Sequence, residues 1–487
     1  MIRDKQREVN PMGLKQFDGR SSGVFARAFG QPALPMLLAV MLAYSAFAAA
    51  DIGRVGSAGR GEPWSKPVVD VAARGYVVEE FYLTGEATSY GFSEGYAYNA
   101  DGKWRTRPVA SKPFVTRFLV VRPGHAKDFN GTVVLHWLNV TAGFELGQID
   151  AEHLRGYAWV GVSAQKVGVD GFPGPEANGL KKWDAGRYGR LQHPGDAWSY
   201  DIFTQVAKAL MPNRTGQIDP LGGLPVDRVI AAGASQSASR IRTYINGVHH
   251  HVRVFDGYLP YIDFGGTVDF ARDGLPRSER GLPVRTRIRD DLGVPVIVAN
   301  SETEATFHHP VRQDDSATYR LYEVAGTSHV SVARGAETTF DNPNWHSYQP
   351  VFFASLRHLH RWLADGVTPP SAPLIDVALV AGAPTVQRDA DGNATGGIRL
   401  PDFAVPSASH SGVGKAGGGR FSFLYGVAED FGDDVLKELY PTSKTFLARW
   451  DRALYQSLAD GMVLPEDAPA LRESAADWAA RLDVDKP

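Results

Sequence analysis

The stretch Val229-Ile230-Ala231-Ala232-Gly233-Ala234-Ser235-Gln236-Ser237-Ala238-Ser239-Arg240 holds the residues best suited to chemistry. An apolar run ends in small residues and a helix-compatible segment follows. A strand that turns sharply at a serine and enters a helix leaves the hydroxyl exposed, the layout of a nucleophile elbow. Such a hydroxyl attacks a carbonyl carbon only with help. It needs a histidine to take its proton and a carboxylate to orient that histidine. These partners are expected in the order serine, acid, histidine, each at the end of a core strand. His329 closes Val324-Ala325-Gly326-Thr327-Ser328-His329, a short turn after an apolar run. The run 296–299 leads into Ser301-Glu302-Thr303-Glu304 and supplies two carboxylates. Loop position favours Glu304 as the acid, with Glu302 the close rival.

Each residue also has an ordinary reading. Ser235 could be a helix N-cap, and His329 and a loop glutamate could simply be solvated. The shared order and strand-end placement carry the triad reading. Gly233 and Ser237 are small, as a tight turn demands, although Ser237 stands where a final glycine is usual. Ser163, in Gly161-Val162-Ser163-Ala164-Gln165, is a decoy. It also follows a strand-like run, but Gly and Pro downstream argue against a helix there. A developing oxyanion needs two backbone N–H groups. Gln236 is expected to supply one, and Leu138 or Asn139, after the run 132–137, the other.

The remaining histidines have plain readings. Three adjacent residues, His249-His250-His251, cannot all face one ion from a regular element, so no metal site is expected. His308 and His309 read as surface or pocket-lining residues. Asp196, after His193-Pro194-Gly195, reads as the cap of a helix starting near Ala197. No cofactor is called for.

Strands are expected at 76–83, 114–122, 132–137, 157–163, 229–232, 252–257, 294–299 and 319–324. Residues 84–113 read as loop and 51–75 as a linker or N-terminal extension. Helical spacing marks 197–210 and 349–365, the latter ended by Gly366. Strands alternating with helices predict an α/β fold with a mainly parallel central sheet flanked by helices. Residues 261–291 lack that rhythm and read as a cap insertion. Its arginines (272, 277, 280, 285, 287, 289) suit an acidic substrate or, more simply, a solvated face. A C-terminal extension, 371–487, carries strand-like pieces near Val377 and Ile398 and helices from about Leu436 to Leu482, broken by Pro441 and Pro465.

The chain has 487 residues, a net charge of −3 and no cysteine, which excludes thiol catalysis, disulfides and a broadly basic nucleic-acid surface. Residues 1–50 are basic, then apolar, then small, as in a secretory signal cleaved after Ala50. An uncleaved anchor is the alternative. Either way a periplasmic or secreted protein is expected, without a stable membrane span after cleavage.

The chain resembles a family of α/β-hydrolase domain proteins with a Gly-x-Ser-Gln-Ser elbow. The matching segments are residues 79–85, 131–140, 156–165, 193–203, 301–304, 326–329 and 392–401. The resemblance spans the mature chain. It implies an α/β-hydrolase fold over 76–487 as one decorated domain, with Ser235 and His329 in a triad and its acid within Ser301–Glu304. It names no substrate. A serine esterase acting on a small-molecule or oligomeric ester is the leading expectation. A non-catalytic binding protein on the same scaffold and an acyltransferase are the alternatives.

Overall fold

The computed structural model describes residues 50–483 apart from 68, 148, 175–177, 214–216, 269, 271–283 and 415–420. All of these belong to one unit, Phe47–Pro487. The expected signal segment, residues 1–49, lies outside the described residues, as does the middle of the expected cap insertion, 271–283.

The strands that carry the fold are β1 (Asp51–Arg54), β2 (Tyr76–Phe92), β3 (Thr106–Pro123), β4 (Thr132–Trp137), β5 (Ala158–Val162), β6 (Arg228–Ala234), β7 (Gly257–Tyr261), β8 (Gly266–Thr267), β9 (Val284–Arg285), β10 (Val296–Ser301) and β11 (Tyr319–Val324). The central strands are short runs dominated by apolar residues, and two long mixed strands, β2 and β3, precede them. Nine of the strands form one sheet in the order β1-β2-β3-β5-β4-β6-β7-β10-β11. Strands β1, β2, β3 and β5 pair antiparallel. From β5 through β4, β6, β7 and β10 to β11 every pairing is parallel. β8 and β9 form a separate antiparallel pair.

Both faces of this sheet are covered, which is why its central strands are almost wholly apolar. Val133, Leu135, Val160, Val229, Ala231 and Val298 pack on one face. Helices Ser199–Leu210 and Gln236–Gly247 cover that face with Ile202, Phe203, Val206, Ile241 and Tyr244. Val134, Trp159, Ile230, Ile297 and Ala299 point to the other face. Helices Gln349–Asp365, Ser443–Ala459 and Ala468–Ala479 cover it with Phe352, Leu356, Phe446, Trp450 and Leu454. Each large apolar side chain so buried contributes roughly 1.5–3 kcal/mol. The C-terminal extension therefore completes the core. It also lengthens the sheet locally, through a parallel bridge between Val324 and Ile398.

Several expectations need correction. Residues 84–113 are mostly not loop, because β2 and β3 continue as a paired ribbon from Gly85↔Phe114 to Phe92↔Thr106. Ala87 and Tyr90 on that ribbon are buried, which holds it down despite its glycines and serines. The linker at 51–75 begins with β1, hydrogen-bonded along β2. Trp64 fastens it further: its Nε1 donates to Glu145 O at 2.8 Å. The strand expected at 252–257 lies at Gly257–Tyr261 instead. Val254 and Phe255 are buried as loop residues, and Pro260 disguises the true strand. A five-residue helix, Lys166–Asp170, does follow Ser163. One turn fits there before Gly171, whose φ of 79° ends it.

Chain order along the sheet reverses at β4. The chain runs from β4 outward to β5 on one side, then returns to β6 on the other. The loops leaving the C-terminal ends of β4 and β6 therefore diverge, and such a switch point leaves a crevice where ligands bind in open α/β sheets.

Candidate active site

Ser235 sits at the C-terminal end of β6, on that crevice. Its φ of 59° and ψ of −117° lie in a region that residues with a side chain rarely adopt, at a cost of about 1–3 kcal/mol. The surroundings hold it there. Ser235 N donates to Tyr261 O at 3.0 Å. A Cβ on Gly233 would come within 2.9 Å of both Ile241 Cγ1 and Ser237 O, so glycine is required at that position. Ser237 is fully buried, in keeping with its size. Helix Gln236–Gly247 starts immediately after the turn. Ser235 stands at its N-cap position, yet its side chain makes no capping hydrogen bond. The hydroxyl is thus not used as a cap, and the residue is only half-buried.

His329 lies in the turn beyond β11, and Glu304 in the first turn of the helix Glu302–His308 after β10. His329 Nδ1 is 2.5 Å from Glu304 Oε1. An ionised carboxylate only accepts, so the imidazole donates from Nδ1 and leaves Nε2 as the basic nitrogen. Glu304 is itself fixed. Its Oε2 accepts from Ser301 N at 3.0 Å and from Ser301 Oγ, a reciprocal capping box. His329 N donates to Thr303 Oγ1 at 2.9 Å, and the Phe264 ring stacks on the imidazole with centroids 5.1 Å apart.

Glu302 is engaged elsewhere. Its Oε1 accepts from Arg388 Nη2 (2.6 Å) and Gly412 N (3.0 Å), and its Oε2 from Gly326 N (2.8 Å). It ties the histidine turn and the C-terminal extension together. Of the two candidate acids, the one brought to His329 is Glu304.

The chain matches the family model described as an alpha/beta hydrolase domain over residues 52–473. The chain belongs to the α/β-hydrolase domain family. No curated protein matches it. Solved structures align weakly. A candidate acetyl xylan esterase from Bacteroides fragilis is 12% identical over 51% of this chain and 66% of its own, with a TM-score of 0.25. Acetyl xylan esterase 1 from Thermoanaerobacterium sp. is 13% identical over 56% and 80%, with a TM-score of 0.26. Oligopeptidase B from Leishmania major is 10% identical over 57% of this chain and 41% of its own, with a TM-score of 0.25. At these scores the likeness bears no weight on activity.

In this α/β hydrolase the loop after β4 faces the elbow. Asn139 Nδ2 donates to Ala234 O at 3.1 Å. The expectation that Leu138 or Asn139 offers a free backbone N–H is corrected. Leu138 N donates to Val162 O (3.3 Å) and Asn139 N to Leu146 O (3.1 Å). Val140 N–H, the next one along, has no acceptor among the described residues. Gln236 is the first residue of its helix, so its N–H has no intrahelical partner.

A polar network unseen in the sequence braces the elbow from below. Asp196 is buried and does not cap the helix at 199, contrary to expectation. It accepts from Lys166 N at 2.8 Å and from Arg240 Nη2 at 3.0 Å. Burial works to raise its pKa, but Arg240, His193 and these hydrogen bonds outweigh it and hold the carboxyl below its ordinary range. Gln165 Oε1 accepts from both Trp137 Nε1 (3.0 Å) and Gln236 Nε2 (3.1 Å). His193 Nε2 lies 2.8 Å from Ala164 O. The segment 193–203 was singled out above by resemblance, which is the signal that could have found Asp196.

The histidine run divides: His249 pairs with Tyr258, while His250 and His251 both reach Thr106. His249 Nδ1 lies 2.8 Å from Tyr258 OH and His251 Nε2 2.9 Å from Thr106 Oγ1. His308, expected on the surface or lining the pocket, is fully buried, 2.9 Å from Arg242 Nη2.

Proposed function

We propose that the chain is a carboxylic-ester hydrolase working through Ser235, His329 and Glu304. The observation that carries this reading is the 2.5 Å contact between His329 Nδ1 and Glu304 Oε1, on the sheet edge that also holds the strained Ser235 turn. Ser235 Oγ attacks the acyl carbon while His329 Nε2 takes its proton. The tetrahedral oxyanion is met by the N–H groups of Gln236 and Val140. His329 returns the proton to the leaving alcohol, and Glu304 stabilises the imidazolium in between. Water, deprotonated by His329, then attacks the acyl-enzyme and frees Ser235. Strain stored at Ser235 is consistent with a side chain presented for reaction. Residues 1–50 are read as a secretory signal, which would make the enzyme periplasmic or secreted.

The test is hydrolysis of a panel of short-chain, long-chain and aromatic esters by the wild type and by Ser235→Ala. Turnover in the variant should fall by a factor on the order of 10⁴ or more. Equal turnover by both proteins would refute the assignment.

A further inference from the structure

The charges around Phe264, which stacks on His329, do not balance among the described residues. Asp263 is fully buried, and its Oδ2 accepts from Arg242 Nε (3.0 Å) and Nη2 (2.5 Å). Against the effect of burial, Arg242, helped by the hydrogen bond from Gly265 N, holds the Asp263 pKa below the ordinary range. Burial above all, and then Arg242, bring His308 down to about 3, so that imidazole is neutral. Glu304 is committed to His329 and Ser301. One carboxylate is thus matched to one guanidinium. Arg285 is a second guanidinium at the same spot.

Arg285 Nη1 donates to Phe264 O and to Phe307 O, the latter at 2.5 Å. Its Nε and Nη2 have no acceptor among the described residues. The unused edge is the Nε–Nη2 fork, which grips a carboxylate through two parallel hydrogen bonds. Desolvation, with repulsion from Arg242 added, lowers the Arg285 pKa despite the pull of Asp263, as expected for a cation lacking its own counter-ion.

Two aromatic rings lead from the imidazole to the fork. Phe264 stacks on His329, Phe307 meets Phe264 edge-on at 5.3 Å, and Arg285 Cζ lies 5.6 Å from the Phe307 centroid. Phe307 is 37% exposed, so this apolar step is open to solvent. A general acid must lie beside the group it protonates. The step therefore flanks the leaving alcohol rather than the acyl chain. Arg285 and Arg287 are both exposed, but only Arg285 lies against Phe307; Arg289 is paired with Asp291 at 2.6 Å, and 272, 277 and 280 lie outside the described residues.

We propose that Arg285 recognises an anionic group on the substrate, and that the preferred substrate is an ester whose alcohol part carries a carboxylate beyond an aromatic spacer. The spacer rests on Phe264 and Phe307. The anion site is independent of catalysis, while the word ester rests on the function proposed above.

The test compares kcat/KM for 3-acetoxybenzoate and its neutral counterpart 3-acetoxybenzamide, together with calorimetric binding of 3-hydroxybenzoate. The wild type should favour the carboxylate by about tenfold or more, as a charge-assisted fork allows. Arg285→Gln should bring the ratio close to one, and Arg285→Lys, which keeps charge but loses the fork, should fall between. A merely structural role would depress both esters alike and leave their ratio intact. A wild-type ratio near one, or a ratio that survives Arg285→Gln, overturns the proposal. Binding separates this from the hydrolase reading. If Ser235→Ala binds 3-hydroxybenzoate about tenfold more tightly than the Ser235→Ala, Arg285→Gln double variant, the anion site stands even without ester turnover. Equal binding by the two removes the anion site and leaves the hydrolase reading untouched.

Discussion

Ser163 and Ser235 occupy matching places and behave differently. Each follows a buried parallel strand, β5 and β6, on either side of β4. Ser163 continues in line: its N donates to Arg117 O at 3.0 Å and its O accepts from Thr116 Oγ1 at 2.6 Å. Its side chain is fully buried. Ser235 breaks away at φ 59° and lifts its side chain out of the sheet edge. A strand-end serine is therefore not distinguished by its place. What separates the two is a turn at positive φ that a helix and a fixed glycine hold in strain. Asp196 links them, bonding Lys166 N after one turn and Arg240 in the helix after the other.

The largest expected effect comes from the carboxylate proposed to orient the base for Ser235, a partner that Ser163 lacks among the described residues. Glu304→Gln should keep the fold but misorient His329, lowering kcat by ~10³ to 10⁴. Glu302→Gln should instead lower the unfolding midpoint, because Arg388 loses its buried partner. Steady-state kinetics and thermal unfolding of both variants check the split. If Glu302→Gln is the kinetically dead one, the assignment of the acid is wrong.

The next effect breaks the link between the turns. Asp196→Asn removes one charged partner of the buried Arg240 and should destabilise by up to about 3–5 kcal/mol, measured by denaturant unfolding. The pH dependence has a definite sign. The Asp196 pKa is lowered in the folded state. Its stabilisation is therefore complete above the unfolded value of about 3.9 and fades as pH falls below that. Wild type and Asp196→Asn should converge in stability in that acid range. A constant gap down to the lowest accessible pH would contradict the pairing.

The smallest effect belongs to Ser163. Its hydroxyl is buried near Glu145 and has no hydrogen-bond partner of normal geometry among the described residues. Ser163→Ala should change stability by less than about 1 kcal/mol and leave turnover as it was.

The parts of this molecule that were legible in the sequence were those with a strong local signal. Tyr319–Val324 and Gln349–Asp365 fall where apolar runs and Gly366 said they would. The elbow strand was visible because small residues crowd one turn. Other parts depend on partners distant in the chain. Residues 85–92 are strand because 106–114 pair with them, and nothing local announces that. Gly257–Tyr261 is a central strand in spite of Pro260, and the apolar run before it drew the expected strand forward. At the site, loop position favoured Glu304 over Glu302 only weakly, and the physical reason, that Arg388, Gly412 and Gly326 claim the second, lies far along the chain. The N–H of Asn139 looked available until its partner Leu146 was known. Sequence periodicity reports which residues are buried. It does not report which polar groups are already satisfied.

The central claim is that a single activated hydroxyl stands at the end of β6. The most direct measurement is covalent labelling with a fluorophosphonate, followed by peptide mass spectrometry. The phosphonyl group should map to Ser235, persist in Ser163→Ala, and vanish in Ser235→Ala. Folded wild-type protein that takes no label, or carries it on a peptide lacking Ser235, would contradict the account.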